Sequence, residues 1–354
     1  MLRIIEVVTA ILLAIAFFLV VGLFLPKTAH IQRTIEIGSP ISQVYDALNG
    51  FHRFKDWSPW LATDPGMQTV AEGERFGEGA TVRFTGLVGG KAGVGSLAIT
   101  QSEFEPGRAL IRMALDNEWS GDNKRTSFKL EQDRKTRAVH VQWDLRVDYG
   151  WDLIGRYKGM YLDGTMGEQM ESSLHHFATM MASVPLVDYS QKNIEIVDRA
   201  GGVLLYVGGG VPSSPREWDE KAEPLMERSW KQVEDFMKAN HITPSGPKTR
   251  VINIIGDEAV DASMAYPVAD SNVTPSGNIR IGGAYIGQAL AVTYTYKRAG
   301  IGAPNGPREQ LKAYAMTHGY EFAWDGGGQF EEWITDANEE GLPETRVYLP
   351  VAIK

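Results

Sequence analysis

A short segment near the C-terminus combines an acid and an indole at a spacing that could form a binding site. Glu331 and Trp333 lie two residues apart in an alternating stretch, so on a β-strand both side chains point to one face. Phe330 and Ile334 then point to the opposite face, which we expect to be buried. A carboxylate beside an aromatic ring suits a cation, because Coulomb attraction in a dry groove adds to a cation–π contribution of about 0.5–2 kcal/mol. The alternative is a solvated surface acid beside an exposed indole.

The sequence lacks the motifs that carry a defined catalytic chemistry. It has no Gly-x-Ser-x-Gly elbow, no Walker-type loop and no dinucleotide fingerprint that opens a helix after a strand. Its 7 histidines are scattered, and the adjacent His175 and His176 would point about 100° apart on a helix, which does not suit chelation of one ion. The absence of cysteine excludes disulfides, thiolate metal sites and cysteine nucleophiles. We therefore predict no catalytic residue, no metal site and no cofactor.

Composition and charge narrow the class of protein further. The 354 residues predict two or three domains, and a hydrophobic fraction of 43% is typical of chains with folded cores. The net charge of −9, with no long basic run, gives no electrostatic basis for nucleic-acid binding. A helix-turn-helix segment is also lacking. We predict no nucleic-acid partner.

The N-terminus has the pattern of a membrane anchor. No charged residue occurs from Val7 to Leu25, and a helix of these 19 residues is about 28 Å long, close to the roughly 30 Å of a bilayer core. A cleaved signal peptide is the alternative, but Lys27 suits the adjacent cleavage candidate poorly. Arg3 favours an internal N-terminus, whereas Lys27 and Arg33 favour the opposite. We predict a single-pass anchor over residues 1–29, with the globular part periplasmic or otherwise extracytoplasmic.

After the anchor, the pattern changes to strands followed by a long helix. Alternating residues 31–37 predict a strand, and Ser39 and Pro40 can cap and begin a helix. The period-two pattern over residues 139–149 predicts an antiparallel sheet with one buried face. A closing amphipathic helix is predicted from apolar residues at helical spacing, namely Met166, Met170, Leu174, Phe177 and Met181.

This order of elements resembles the START-like, polyketide-cyclase-like (SRPBCC) superfamily. The resemblance rests on the Ser39-Pro40 helix start, the Trp57-Ser58-Pro59-Trp60 box and the Met-rich final helix, and it covers residues 30–185. It implies a helix-grip fold, in which a curved sheet holds the last helix around an apolar cavity. The candidate wall residues are Trp57, Trp60, Trp143, Met170 and Phe177. Each of them could instead be an ordinary core residue.

Beyond a predicted linker at residues 183–193, the sequence contains a weak internal duplication. Predicted strands at Val203–Tyr206 and Ala291–Tyr296 are each followed by a Gly-rich turn and by Pro-Arg-Glu, at residues 215–217 and 307–309, which can begin a helix. Two more predicted strands follow each helix. Two copies of strand–helix–strand–strand predict a pseudo-twofold α+β domain over residues 186–354, with a ligand groove where the halves meet.

The duplicated segment is similar to the gyrase-inhibitor-like effector-binding domain of bacterial transcription activators, which is built from two SH2-like repeats. The most specific match is the Glu331–Asp336 stretch followed by the Glu344–Val351 ending. The resemblance implies that Glu331 and Trp333 face the ligand, and the candidate groove also includes Tyr206, Tyr294 and Tyr296. Many members have a histidine and a tyrosine where this chain has Lys297 and Arg308. These cations could neutralise Glu331 or favour anionic ligands, and loss of the tyrosine weakens any expectation of hydrolysis.

Together these patterns predict an α+β protein with an N-terminal transmembrane helix and two small-molecule modules. The expected activity is binding of a lipophilic and possibly cationic small molecule at a bacterial membrane. An enzyme is one alternative, with Glu331 as a general base on water or an electrophilic ligand, or with cyclase-like chemistry by positioning in the START-like cavity. A structural or envelope-stress partner, with both cavities packed shut, is the other.

Overall fold

The computed structural model describes residues 2–60, 63–87, 92–212, 221–255, 259–269, 272–295, 306–323, 329–335 and 344–353. The chain divides into two compact units, Met1–Ser183 and Val184–Lys354. Each unit combines helices with an antiparallel sheet, so the predicted α+β fold class is confirmed.

The first unit consists of an apolar helix, a seven-stranded sheet and the helices that pack on it. Its elements are α1 (Leu2–Phe24), β1 (Thr28–Ile37), α2 (Ile41–Leu48), α3 (Phe54–Trp57), β2 (Gln68–Gly73), β3 (Ala80–Thr85), β4 (Val94–Glu105), β5 (Arg108–Asn117), β6 (Asp122–Gln132), β7 (Val139–Asp148), α4 (Leu153–Met160), a π-helical turn (Asp163–Gly167) and α5 (Glu168–Ala182). The strand order is β1-β7-β6-β5-β4-β3-β2, so the first strand closes beside the last one.

Sequence patterns explain most of this unit. Residues of β7 alternate between buried and more exposed positions, as the period-two pattern predicts. Helix α5 follows the π-helical turn and buries its apolar stripe, and Ser173 of this helix donates a hydrogen bond to the carbonyl of Trp57. One detail differs from the expectation. Pro40 occupies the N-cap position of α2, so this helix begins one residue later than expected and Ser39 does not cap it.

Helix α1 could cross a membrane by length and composition. Residues Arg3–Phe24 include a window of mean hydropathy 3.0, of which 6% is buried. A signal sequence would meet the same criterion, so membrane anchoring stays a proposal.

The second unit is a sheet built from two similar halves. Its elements are β8 (Glu195–Ala200), β9 (Val203–Pro212), α6 (Glu223–Ala239), β10 (Thr249–Ile255), β11 (Ala259–Val268), β12 (Arg280–Gly283), β13 (Ile286–Thr295), α7 (Pro307–Thr317), β14 (Tyr320–Phe322), β15 (Gln329–Thr335) and β16 (Glu344–Ile353). The strand order is β12-β9-β11-β10-β15-β16-β13-β8, and β14 pairs with β16. The copies β9–α6–β10–β11 and β13–α7–β15–β16 meet at the β10–β15 pair, which confirms the pseudo-twofold architecture.

Both helices of the second unit cover the same face of the sheet. Helix α6 packs Met226 and Trp230 against Met264, and α7 packs Leu311 against Val347. Residues that are partners on neighbouring strands point to the same face of the sheet. Arg250 is the partner of Met264 on β11 and of Glu331 on β15. Glu331 is in turn the partner of Val347 on β16. Arg250 and Glu331 therefore lie on the helix-covered face. Helix α7 begins at Pro307 as expected, whereas the predicted helix start at residues 215–217 lies outside the described residues.

Candidate ligand-binding sites

Four of the five predicted wall residues of the first unit line a very small cavity. Trp57, Trp60, Trp143 and Met170 line a space of about 20 Å³, together with other apolar side chains. A cavity of this size has room for about one water molecule. Phe177 does not line it, although its ring lies 6.3 Å from that of Trp57. All five residues are at most 5% exposed, so in this conformation they form the core of the unit.

A larger concavity adjoins this inner cavity. It has a volume of about 500 Å³ and opens to solvent between the β-sheet and the segment that precedes α5. Glu118, Ser120, Lys158 and Gln169 provide polar groups along it, and Trp119, Tyr161 and Leu162 provide apolar surface. Met166 lines both the concavity and the inner cavity. The side chain of Met166 thus lies between an open space and an apolar interior.

Two indole N–H groups near the inner cavity lack hydrogen-bond partners among the described residues. They belong to Trp57 and Trp60, whose side chains are 2% and 1% exposed. Trp143 differs, because its indole Nε1 donates to Thr126 Oγ1 at 2.6 Å. A buried donor without an acceptor is costly, so the inner region offers two donors to any acceptor that enters.

Glu331 of the second unit is buried and paired with an arginine. Arg250 donates a hydrogen bond from Nη2 to Glu331 Oε2, and the two side chains are 3% and 7% exposed. Nη1 of Arg250 contacts the sulfur of Met226 at 3.2 Å. Glu331 is therefore not a solvated surface acid, and a cation of the same chain already compensates its charge.

Trp333 lies beside this pair and is surrounded by cations of the same chain. Its ring packs edge-on against Trp230, with ring centres 4.8 Å apart. The Lys248 ammonium lies 5.6 Å from the Trp333 ring centre and the Arg250 guanidinium 5.5 Å from it. The acid and the indole are thus close together as expected, but internal cations occupy the positions that a cationic ligand would take.

Arg308 adds another positive charge on this side of the sheet. Burial lowers the pKa of the Arg308 guanidinium, while the carboxylates of Glu309 and Glu331 act in the opposite direction. Its Nε has no hydrogen-bond partner among the described residues. The arginine is therefore a half-buried cation within the electrostatic reach of Glu331.

Two of the three predicted groove tyrosines, Tyr206 and Tyr294, lie on opposite faces of the sheet. Tyr294 lies on the helix-covered face, where its hydroxyl donates to Gln310 Oε1 and the Lys192 ammonium lies 4.4 Å from its ring centre. Tyr206 alternates with Leu205 and Val207, which pack against α6, so it points to the opposite face. Tyr296, and Lys297 beside it, lie outside the described residues.

The opposite face of the sheet carries a polar network that the sequence did not reveal. Arg199 and Glu332 form an ion pair at 2.5 Å, and the hydroxyl of Tyr348 donates to the second Glu332 oxygen at 2.7 Å. The Arg199 guanidinium also lies 5.2 Å from the ring centre of Phe330. A concavity of about 320 Å³ on this face is lined by Arg199, Phe330 and Glu332, with Tyr285 at its edge. Residue alternation places Glu332 here, but only the strand order brings Arg199 and Tyr348 beside it.

The expectation that Phe330 and Ile334 form one buried face is half wrong. Phe330 is 5% exposed and stacks on Tyr348, whereas Ile334 is 47% exposed. The pairing of β15 with β16 shifts register between Trp333 and Thr335, so the alternation that holds for Phe330 does not extend to the end of the strand. Within the described ranges, no group of three or more His, Cys, Asp or Glu residues is arranged to hold a metal ion.

Comparison with known proteins yields structural matches only. No protein-family model matches the chain, and no curated protein sequence matches it. The C-terminal domain of EcmrR is 13% identical with a TM-score of 0.37, and the match covers 46% of this chain and 99% of that one. Norcoclaurine synthase from Thalictrum flavum, in complex with dopamine and hydroxybenzaldehyde, is 7% identical with a TM-score of 0.34, over 44% of this chain and 87% of that one.

A third match is EcmrR in a complex with DNA. It is 11% identical with a TM-score of 0.37, and it covers 63% of this chain and 89% of that chain. The DNA belongs to that protein and gives no ground for a nucleic-acid partner here. All three matches fit the α+β folds of the two units. At such low sequence identity they show similarity of fold and say nothing of function.

Proposed function

We propose that this chain is a membrane-tethered protein that binds small lipophilic molecules, mainly in its first unit. The observation that carries the proposal is the concavity of about 500 Å³, whose lining residue Met166 also lines the apolar inner cavity. Ligand pockets commonly measure about 300–1,000 Å³, so the outer space suffices for a small molecule and the inner one does not. Membership of the START-like superfamily, over residues 30–185, is part of the same proposal.

The distribution of polar groups favours an amphiphilic ligand. Lys158, Glu118 and Gln169 lie along the outer concavity, while the inner cavity is bounded by aromatic and aliphatic side chains. A ligand would keep its polar end at the outer residues and direct its apolar end towards Met166. A carbonyl or hydroxyl that reached the interior would find the unpaired indole donors of Trp57 and Trp60.

Met166 is the side chain that would have to move for deeper binding. It belongs to the π-helical turn Asp163–Gly167, and π-helical segments are often found at functional sites. Methionine has three rotatable bonds and adapts to irregular spaces. Rotation of this one side chain would join the outer concavity to the inner cavity.

The second unit, over residues 186–354, is proposed as a second ligand-binding module of the effector-binding type. Because Arg250 is paired with Glu331 and Arg308 lies within its electrostatic reach, we propose neutral or anionic ligands here rather than the lipophilic cations that the sequence suggested. A cation would first have to displace Arg250 from the buried carboxylate, at the cost of leaving a buried guanidinium unpaired.

Thermal unfolding of the full chain in lipid nanodiscs tests both the proposed binding of lipophilic molecules and the proposed preference for neutral or anionic ligands. Decanol, decanoate and decyltrimethylammonium have the same chain length and differ in charge. A ligand at 100 times its Kd stabilises a protein by about 2.7 kcal/mol, so decanol and decanoate should raise the Tm. Absence of stabilisation by all three compounds would contradict the proposal, and stabilisation by the ammonium compound alone would contradict the proposed charge preference.

A matched pair of variants locates the binding. Gln169 lines the outer concavity, whereas the adjacent Glu168 is exposed and is not among the residues that line it. Gln169→Trp should reduce decanoate-induced stabilisation, and Glu168→Trp should leave it unchanged. Equal effects of the two substitutions would place the binding elsewhere.

A further inference from the structure

Helix α4 exposes an apolar and aromatic surface to solvent. Ile154, Lys158 and Tyr161 lie at spacings of four and three and therefore on one side of the helix. Trp151 lies two residues before the first residue of the helix. Trp151 is 78% exposed, Ile154 63% and Tyr161 71%. Large side chains with this exposure on one helix mark a surface that contacts another apolar phase.

The same helix is fixed to the apolar helix α1. Arg156, which is 2% exposed, donates hydrogen bonds from Nη1 to the carbonyl oxygens of Gly22 and Leu23, at 3.1 and 3.0 Å. The Tyr157 hydroxyl donates to the carbonyl of Phe18 at 2.7 Å, and the two rings stack with centres 4.0 Å apart. Arg156 thus satisfies carbonyls at the end of α1 that have no partner within the helix. Helix α4 cannot swing away from α1 without breaking these bonds.

The position of the contact along α1 sets the depth of α4. Phe18 lies seven residues before Leu25, the last residue of the uncharged run, which is about 10 Å along a helix. If the run from Val7 to Leu25 crosses a hydrocarbon core of about 30 Å, Arg156, which binds the Leu23 carbonyl, is carried to the boundary between hydrocarbon and headgroups. The Tyr157 hydroxyl then reaches about 10 Å below that boundary. Helix α4 then lies at the membrane surface rather than in bulk water.

The chemistry of the surface agrees with this depth. Tryptophan and tyrosine are enriched at membrane–water interfaces, where basic side chains reach the headgroups. The ammonium group of Lys27 lies 5.2 Å from the ring centre of Trp151, and Lys158 is exposed on the same side of α4 as Tyr161. An aromatic, aliphatic and basic surface directly beside a spanning helix fits a lipid interface.

We propose that Trp151, Ile154 and Tyr161 lie in the interfacial layer of the membrane that holds α1. The inference rests on the proposed membrane tether. Lys158 and Tyr161 also line the concavity of about 500 Å³, so its opening adjoins the lipid. The ligand is then an amphiphile dissolved in the bilayer, which enters the concavity from the membrane and not from water.

Single-cysteine labelling of the full chain tests the proposal, since the natural sequence has no cysteine. Ile154→Cys and Tyr161→Cys place a polarity-sensitive dye on the surface. Val70→Cys, at a residue that is 59% exposed on β2, is the matched control. In phosphatidylcholine vesicles that contain a lipid with a nitroxide near the headgroup, the dye at residues 154 and 161 should be blue-shifted and quenched at least threefold more than at residue 70.

Two other outcomes overturn the inference and are distinguishable. If the chain resists extraction by alkaline carbonate but the three dyes are quenched equally, α1 is an anchor and α4 does not contact lipid. If carbonate extracts the chain from the vesicles, the membrane tether itself is wrong, and the interfacial position of α4 fails with it.

Discussion

Arg250 and Glu331 form a buried ion pair across strands β10 and β15, where the two halves of the second unit meet. Both side chains lie on the face covered by the helices, and Trp333 contacts the pair through the Arg250 guanidinium. The position that the sequence assigned to a ligand cation is therefore taken by an arginine of the same chain. A carboxylate beside an indole indicates a cation site only if no internal cation reaches it.

Breaking this pair should strongly destabilise the second unit. Arg250→Met or Glu331→Gln leaves one buried charged or polar partner uncompensated, and we expect each to lower the free energy of unfolding by about 3–5 kcal/mol. The double variant should lose less free energy of unfolding than the two single variants lose together. Hydrogen exchange of β10 and β15 peptides measures the loss in this unit alone.

The exposed pair Lys231–Asp235, with an N–O distance of 3.5 Å, is the control. Breaking this pair should lower the free energy of unfolding by less than about 0.5 kcal/mol. Losses below about 1 kcal/mol for Arg250→Met would contradict the account.

Met166→Ala should enlarge the binding space of the first unit. The substitution removes the side chain that lines both the inner and outer spaces, so ligands with longer apolar ends should bind more tightly. Stability should fall by about 2–5 kcal/mol, as for other truncations of buried methionine. Met181→Ala is the matched control, because Met181 is fully buried in α5 but does not line either space. It should lose similar stability without a gain in affinity, and equal affinity changes in the two variants would refute the role of Met166.

Tyr348 should make the second unit sensitive to alkaline pH. Burial, followed by its hydrogen bond to Glu332 and the charge of that carboxylate, raises the pKa of Tyr348 to about 12. An unfolded tyrosine titrates near about 10, so the folded state holds this proton more tightly. The resulting stability is fully present below about pH 10 and is lost as the pH rises towards about 12. The difference in unfolding free energy between wild type and Tyr348→Phe should therefore shrink over this range. A difference that is constant with pH would contradict the assignment.

Arg156→Met should loosen the contact between α1 and α4. The variant leaves the carbonyls of Gly22, Leu23 and Gly150 without this donor, and we expect a loss of about 3 kcal/mol in the first unit together with faster hydrogen exchange in α4. Arg108→Met, at a surface arginine that is 72% exposed, is the control. If both variants exchange alike in α4, the hydrogen bonds to α1 do not hold this helix.

The fold was largely predictable because its signals are local. The alternation in residues 139–149 specifies β7, and the spacing from Met170 to Met181 specifies the buried face of α5. The repeated strand–helix–strand–strand order predicts the two halves of the second unit. These patterns depend on neighbours in sequence, which is why they can be read from the sequence alone.

The candidate sites were less predictable because they depend on strand order and on side-chain packing. Arg250 precedes Glu331 by 81 residues, and only the β10–β15 pairing brings them together. As a strand tyrosine, Tyr206 is predicted to line the groove, but its parity in β9 places it on the face opposite Glu331. The size of the cavity beneath Trp143 is set by how tightly Trp57, Trp60 and Met170 pack, which no sequence pattern encodes.

Photolabelling of the full chain in lipid vesicles tests the central claim most directly. A decanoic acid that carries a terminal diazirine would be activated in the membrane, and the labelled peptides identified by mass spectrometry. Binding in the first unit predicts saturable labelling of the peptide that contains Met166, competition by unlabelled decanoate, and loss of the label in Gln169→Trp. Labelling that is confined to α1, or that is neither saturable nor altered in Gln169→Trp, would contradict it.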